Sequence, residues 1–414
     1  MKKILVIICY AMSLVFCADA IAQQKKLVIW SHWGQEPVKV NFMNAVAEQF
    51  TQEYGVAVEI VWLSKNTLAE KLVFALDTPE PDITYIDALA KFAHPRIWRS
   101  LSDLSELRFS GQIAPGWGLG DVGENKNSFL PIEGISNAMY YNKQLFQQAD
   151  IRLPQNRALT GREFLGIIRK LRAAGITPIG EGAADREQKA GIPIINAIFR
   201  YAGPEKVAQL YRGEIDFSDP DVVAALKFWK QVVDAQGYDS RKALQLTLSE
   251  GIFEVTDGKA AISFCGTYIY SKYGATERDK GQIGILDWFT VENGKGNDYY
   301  EIFWAAGFGM NRHSAHPHEA KKFLEYLMTP SAASLWGRYV QAPYPIIAEK
   351  LSPDSLYETL MVLRKDRQAA PEPFTYGMFS SKAAQQMWQE ETKQFIAGKR
   401  SVEQFIERMN SRLE

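Results

Sequence analysis

The sequence predicts an α/β fold built as two folded masses, and three observations predict it. Leu27-Val28-Ile29-Trp30, a helical run carrying Val40, Met43, Ala47 and Phe50, and alternating Val56, Val58, Ile60 and Trp62 follow one another as strand, helix, strand. That order makes a right-handed crossover in a largely parallel sheet. Between Leu130 and Phe146, Pro131 and Gly134 punctuate a passage before the strand-favouring Met139-Tyr140-Tyr141 and the Asn142-Lys143 turn, so the chain leaves one mass and enters another there. The length of 414 residues is enough for two domains of ordinary size, each with its own core.

Each element has a local reason. Lys2 and Lys3 precede the apolar run Ile4 to Phe16, and Ala20-Ile21-Ala22 offers small residues to a signal peptidase, so residues 1–22 are expected to be a cleaved export signal. The run is too short for a membrane anchor and ends at Asp19. Phe16 before Cys17 argues against a lipid anchor there, since that signal wants a small residue. Gly55 ends the first helix, and Pro81-Asp82-Ile83-Thr84-Tyr85-Ile86-Asp87 reads as a short buried strand ending at a polar residue, where ligands of open α/β sheets gather. Thr160 and Glu163 form a capping-box pattern for a helix with Phe164, Ile167, Ile168 and Leu171 on its apolar face. A second helix follows Ser218-Asp219-Pro220 and carries Val222, Leu226, Trp229 and Val233. Asp257-Gly258-Lys259 turns into the strand Ala260 to Phe264, short α/β material recurs at 283–289 and 303–310, and Pro317 to Leu327 is a further helix.

Composition excludes several roles. Cys9 and Cys17 leave with the signal, so Cys265 stands alone and no intramolecular disulfide forms in the mature chain. Removing Lys2, Lys3 and Asp19 leaves 45 basic and 47 acidic residues, a net charge of −2, which argues against nucleic-acid or membrane-surface binding by bulk charge. Ten Trp, 18 Tyr and 22 Phe leave some aromatic side chains beyond the core to line a cleft. Gly118-Leu119-Gly120-Asp121-Val122-Gly123 has dinucleotide-fingerprint spacing, but no strand leads into it and no helix follows, so it reads as a glycine loop. His313, His316 and His318 enter a helix at Pro317 and read as loop histidines; no metal or cofactor is expected.

Separated segments resemble the carbohydrate-oriented branch of the family 1 extracellular solute-binding proteins, the receptors of ATP-binding-cassette importers. They are Trp30-Ser31-His32-Trp33-Gly34, PDITYID at 81–87, the crossing with YYNKQLF at 140–146, GITPIG at 175–180, DGKAAISFCGTY at 257–268 and AAGFGMNRHSAHPHEAKKFLEYLMTP at 305–330. No single one is specific, but six in order over nearly the whole mature chain are. The resemblance implies a periplasmic-binding-protein type fold: two α/β lobes around a hinge with a ligand cleft between them. The first lobe would take 23–131 plus about 280–328, the second 132–279 plus about 329–414. It also implies a periplasmic, monomeric receptor that closes on a small carbohydrate and presents it to a membrane permease, with no bond made or broken.

A sugar needs paired acceptors and donors beside an aromatic surface. On the resemblance, Trp33 and Glu36 follow the first strand and Asp87 ends its strand at the family's acidic position. Glu133, Ser136 and Asn137 lie at the crossing, Tyr268 stands where relatives often stack a Trp on the sugar, and Trp304 replaces a glycine run. Arg186 would suit an acidic ligand group, and Tyr376 lies in a late loop. Each has a bland alternative: first-turn helix charge for Glu36, a cap for Asp87, loop hydrogen bonding for the crossing residues, core packing for Trp304, a surface ion pair for Arg186. Two rival functions stay open at this point. One is an exported polysaccharide-active enzyme using Glu36 and Asp87 as acid and base; the other is a binding protein serving a membrane chemoreceptor. The solute itself, whether neutral sugar, uronate or phosphodiester, is not legible.

Overall fold

The computed structural model describes residues 25–87, 92, 94–155, 157–184, 190–269, 282–348, 356–371, 379 and 381–413. The expected signal segment 1–22 and the candidate site residues Arg186 and Tyr376 lie outside them.

The opening strand β1 (Lys26–Ser31) runs parallel to β2 (Ala57–Trp62) and β3 (Ile83–Asp87). Between β1 and β2 the helix Pro37–Tyr54 starts on a proline that needs no amide partner, and Gly55 stops it at φ 69°, a left-handed conformation open to glycine. Ser64 caps the next helix, Lys65–Ala75, by accepting from the Thr67 amide. β4 (Gly120–Val122) and β5 (Asn125–Ile135) form an antiparallel hairpin, so the Gly118–Gly123 run is a strand and turn with no helix after it.

A single residue, Ser136, separates β5 from β6 (Asn137–Asn142), yet the two strands belong to different sheets. The passage expected as a loop around Pro131 and Gly134 is therefore strand. Pro131 is tolerated within β5 while its carbonyl accepts from Trp117 Nε1 at 2.9 Å. Gly134 is required by crowding: a Cβ there would stand 2.8 Å from Pro343 Cβ and 2.9 Å from the Trp304 ring.

The second sheet has the order β7-β8-β6-β9, with β7 (Thr177–Ile179), β8 (Ala260–Gly266) and β9 (Ile283–Leu286). The chain returns through β10 (Tyr299–Tyr300) to β11 (Phe303–Met310), which lies antiparallel between β3 and β5 and completes the first sheet, β2-β1-β3-β11-β5-β4. β12 (Gln368–Ala369) pairs with β10.

β9 hydrogen-bonds β6 in the second sheet, and the chain rejoins the first sheet at β11. The helix Pro330–Tyr339 buries Ala332, Leu335 and Trp336 in the first core, where Tyr344 and Ile346 also pack. A four-residue apolar strand and an amphipathic helix look alike whichever core they join.

Two cores hold the lobes. The first packs Leu27, Ile29, Trp33, Phe42, Phe50, Phe308, Phe323 and Trp336 between sheet and helices. The second packs Phe164, Ile168, Trp229, Phe264, Trp288, Trp388 and Phe405, with a smaller cluster of Tyr140, Ile252, Cys265 and Leu360 on the sheet's other face. The capping box at Thr160 and Glu163 forms as the sequence predicts, and Asp219 caps Pro220–Asp234. Cys265 is buried and forms no disulfide among the described residues.

Candidate functional site

Strand register places Asp87 of β3 opposite Ala306 of β11, and Ala306 opposite Glu133 of β5, so two carboxylates from strands far apart in sequence flank one alanine. They lie where β1 and β3 end, the edge at which open α/β sheets receive ligands. Asp87 forms an ion pair with Lys65 and accepts from Tyr85 Oη at 3.4 Å. Glu133 Oε2 accepts from Lys39 Nζ at 2.7 Å, and Glu36 Oε2 lies 2.8 Å from the same nitrogen. His32 Nε2 stands 3.9 Å from Glu36 Oε1, and its ring is 4.1 Å from that of Tyr85.

Beneath these charges, Lys39 Nζ lies 4.9 Å from the centre of the Trp33 ring, which is wholly buried and packs edge-on against Phe308 and Tyr85. Trp33, expected in the cleft, is thus part of the first core: the short helical turn Trp33–Gln35 that follows β1 places the indole in that core.

Burial sets the electrostatics. It works to lower the pKa of Lys39, but Glu133 and Glu36 outweigh it and hold the ammonium above its ordinary value. Burial pushes the Glu133 carboxyl up, opposed by Lys39. Tyr85 is driven well above its usual value by burial and then by the carboxylates of Asp87, Glu133 and Glu36, so it stays a neutral donor. The cluster counts three carboxylates against two ammonium groups over an aromatic floor, and its carboxylate oxygens can accept hydroxyl protons.

Ser136 and Asn137 lie where the chain passes from the first sheet to the second. Arg364 Nη1 donates to Ser136 Oγ at 2.6 Å and Nη2 to the Asn137 carbonyl at 2.9 Å, while Ser136 Oγ itself donates to the Glu301 carbonyl. The Asn137 amide donates to Glu301 Oε1 at 2.7 Å, and Trp288 Nε1 to the Asn137 carbonyl at 3.1 Å. Asp287 anchors the arrangement through Arg364 at 2.9 Å and Arg367 at 2.5 Å. Burial alone would raise Asp287, but Arg364, Arg367 and Arg200 hold it below the usual carboxylate range. Arg200, buried beside other guanidinium groups, is lowered to about 9 and gives Nη1 to the Gly296 and Tyr299 carbonyls.

Of the remaining candidates, Tyr268 is half-buried against the smaller second-lobe cluster, with its ring over Gly266. Trp304 is buried with Tyr300 and Ile302 near Trp117 and Ala114, which is its core-packing alternative. A register shift between Trp304 and Ala306 moves its ring off the face that strand alternation from Ala306 would give it. A concavity of about 510 Å³ between Thr160, Tyr201, Phe228 and Gln231 is lined by second-lobe residues alone and is not shared between the lobes. His313 and His318 are exposed, and among the described residues no group of His, Cys, Asp and Glu is arranged to hold a metal ion.

Lys39, Lys65, Tyr85, Asp287, Glu301 and Arg364 were not among the sequence candidates. Only Lys39 left a local signal, three residues after Glu36 on the first helical turn.

The family model described as "Bacterial extracellular solute-binding protein" matches residues 34–334. The chain belongs to this family. It is therefore a solute-binding protein and not an enzyme, and Glu36 and Asp87 are each paired with a lysine. Solved structures agree on the fold. The solute-binding protein is 21% identical to a protein from work on xylan utilization by Caldanaerobius polysaccharolyticus, over 94% of this chain and 100% of that one, with a TM-score of 0.71. It is 16% identical to the solute receptor AcbH, described as preferring β-D-galactopyranose, over 94% and 97%, with a TM-score of 0.70. It is 18% identical to RafE in complex with raffinose, over 94% and 98%, with a TM-score of 0.68. No curated protein matches the sequence.

Proposed function

We propose that this protein captures a carbohydrate or related polyol between its lobes and delivers it to an ATP-binding-cassette permease. The carrying observation is the row Asp87, Ala306, Glu133 at the strand ends, two fixed carboxylate acceptors beside the rings of His32 and Tyr85. Hydroxyl-bearing rings need that combination of acceptors and flat apolar surface. Structural relatives described as binding raffinose or β-D-galactopyranose share the fold and support the class of solute. The expected signal segment supports export, and the receptor would act as a monomer in the periplasm. Closure follows only from the solute's stronger binding to the closed form, because equal affinity for both forms shifts nothing.

The first test is a thermal-shift screen over neutral saccharides, hexuronates and phosphodiesters, since a specific ligand raises apparent stability by mass action. For the saccharide it identifies, Asp87→Ala removes an acceptor and leaves Lys65, already partly exposed, to water, so the fold survives. A hydrogen bond to a charged group is worth about 1.5–3 kcal/mol, so calorimetric affinity should fall roughly ten- to hundredfold. Tyr268→Ala should weaken binding as well, by loss of a ring face. Unchanged affinity in both variants would remove the site from the face described here.

A further inference from the structure

We propose that Lys39 is a positioning residue that keeps Glu133 a fixed, charged acceptor, so that the first-lobe face selects neutral hydroxyl donors and rejects anionic solutes. This rests on the solute-binding reading and deepens it. Lys39 is 2% exposed, and two of its three N–H groups go to carboxylates, Glu133 Oε2 at 2.7 Å and Glu36 Oε2 at 2.8 Å, with the Trp33 ring beneath its charge. It is committed to those partners and has little left to offer a solute. Glu133 Oε1, in contrast, has no hydrogen-bond partner among the described residues. The charged and titratable groups around Glu133 are Lys39 and Glu36 from the helix Pro37–Tyr54, Lys65 from the helix Lys65–Ala75, and Tyr85 and Asp87 from β3; β11 brings only Ala306.

One face thus holds a buried acceptor that has no partner among the described residues, in a field with one more negative than positive charge. A hydroxyl donates to it. A uronate or phosphate meets repulsion from the carboxylates, while Lys39 is already paired with two of them.

The direction of the effect follows from burial. Burial pushes the Glu133 carboxyl up and Lys39 opposes it, so removing the ammonium lets Glu133 hold its proton to higher pH. A protonated Glu133 is a weaker acceptor and gains a donor. In Lys39→Met, binding of a neutral saccharide should therefore fall at least tenfold relative to the wild type at pH 5.5 and recover part of that loss as pH rises to 8. Glu133→Gln, which mimics the protonated form, should be flat and match Lys39→Met at its acidic limit. Hexuronate binding, absent in the wild type, should appear in Glu133→Gln. A packing role alone for Lys39 predicts a loss with no pH dependence.

The titration is also read without any solute. In protein labelled with carbon-13 glutamate, with the Glu133 resonance assigned by Glu133→Gln, the carboxyl should titrate at higher pH in Lys39→Met than in the wild type. Identical titration in both overturns the proposal. If Lys39→Met does not fold, Glu133→Gln decides from the other partner: an unchanged ratio of hexuronate to neutral saccharide affinity overturns it. If no saccharide or hexuronate shifts the wild-type melting temperature, the solute reading itself fails, and the carbon-13 titration still decides the role of Lys39.

Discussion

Arg364→Met should lower the free energy of unfolding by about 3–5 kcal/mol, a fall of roughly 10 °C in Tm. The guanidinium is 2% exposed and spends its donors on Asp287, Ser136 Oγ and the Asn137 carbonyl, with the Tyr300 ring 5.1 Å from its centre. It follows the helix Leu356–Leu363, in the stretch that re-enters the second lobe, and it holds the first passage between the lobes at Ser136. Ser136 and Asn137 in turn bind Glu301, where the chain passes back. One side chain therefore holds the Ser136 passage directly and the chain at Glu301 through Ser136 and Asn137. Methionine fills much of the volume but leaves Asp287 with Arg367 alone, and a buried carboxylate that loses a partner is costly even when a second remains. Because the arginines hold Asp287 below the usual carboxylate range, its contribution is complete above the unfolded value of about 3.9 and is lost as pH falls through the lower folded value. Arg364→Met removes the largest of those opposing charges, so acid unfolding should begin at higher pH. Denaturant unfolding at pH 7 and pH 4 measures both effects; a loss under about 1 kcal/mol would mean that the passages are held by something else.

Trp33→Ala should cost about 3–5 kcal/mol, the range for deleting a buried aromatic from a packed core. The indole is wholly buried, with Phe308 at 5.3 Å, Tyr85 at 5.7 Å and Trp336 at 6.0 Å between ring centres. Trp33→Phe keeps part of that packing and should cost less than half as much. The same variant separates a core tryptophan from a sugar-stacking one. A ligand-facing ring could be deleted with stability changed by no more than about 0.5 kcal/mol and with binding lost. Chemical denaturation and calorimetry on one preparation give both numbers.

Much of the scaffold was legible because local chemistry writes it. The run from β1 to β3 follows from hydrophobic period and from Gly55, and the capping box at Thr160 from two residues three apart. Glu36, Asp87 and Glu133 were legible as a resemblance, and the strand register brings Asp87 and Glu133 to one row. Their partners were not. Lys39 meets Glu133 across 94 residues and Arg364 meets Ser136 across 228, and no local pattern encodes such pairs. Aromatic direction was the other failure. A short helical turn takes Trp33 inward and a register shift moves Trp304, and both depend on neighbours that sequence spacing does not name. The sheet that β9 joins and the core that the helix Pro330–Tyr339 joins were not legible for the same reason, since their apolar faces fit either core until the tertiary partners are known.

Small-angle scattering of the protein with and without the saccharide found by the thermal-shift screen, with the solute recovered and analysed afterwards, tests the central claim most directly. The account predicts a smaller radius of gyration at saturation and a chemically unchanged solute. An identical scattering profile at saturating saccharide, or recovery of a cleaved or modified product, would contradict it.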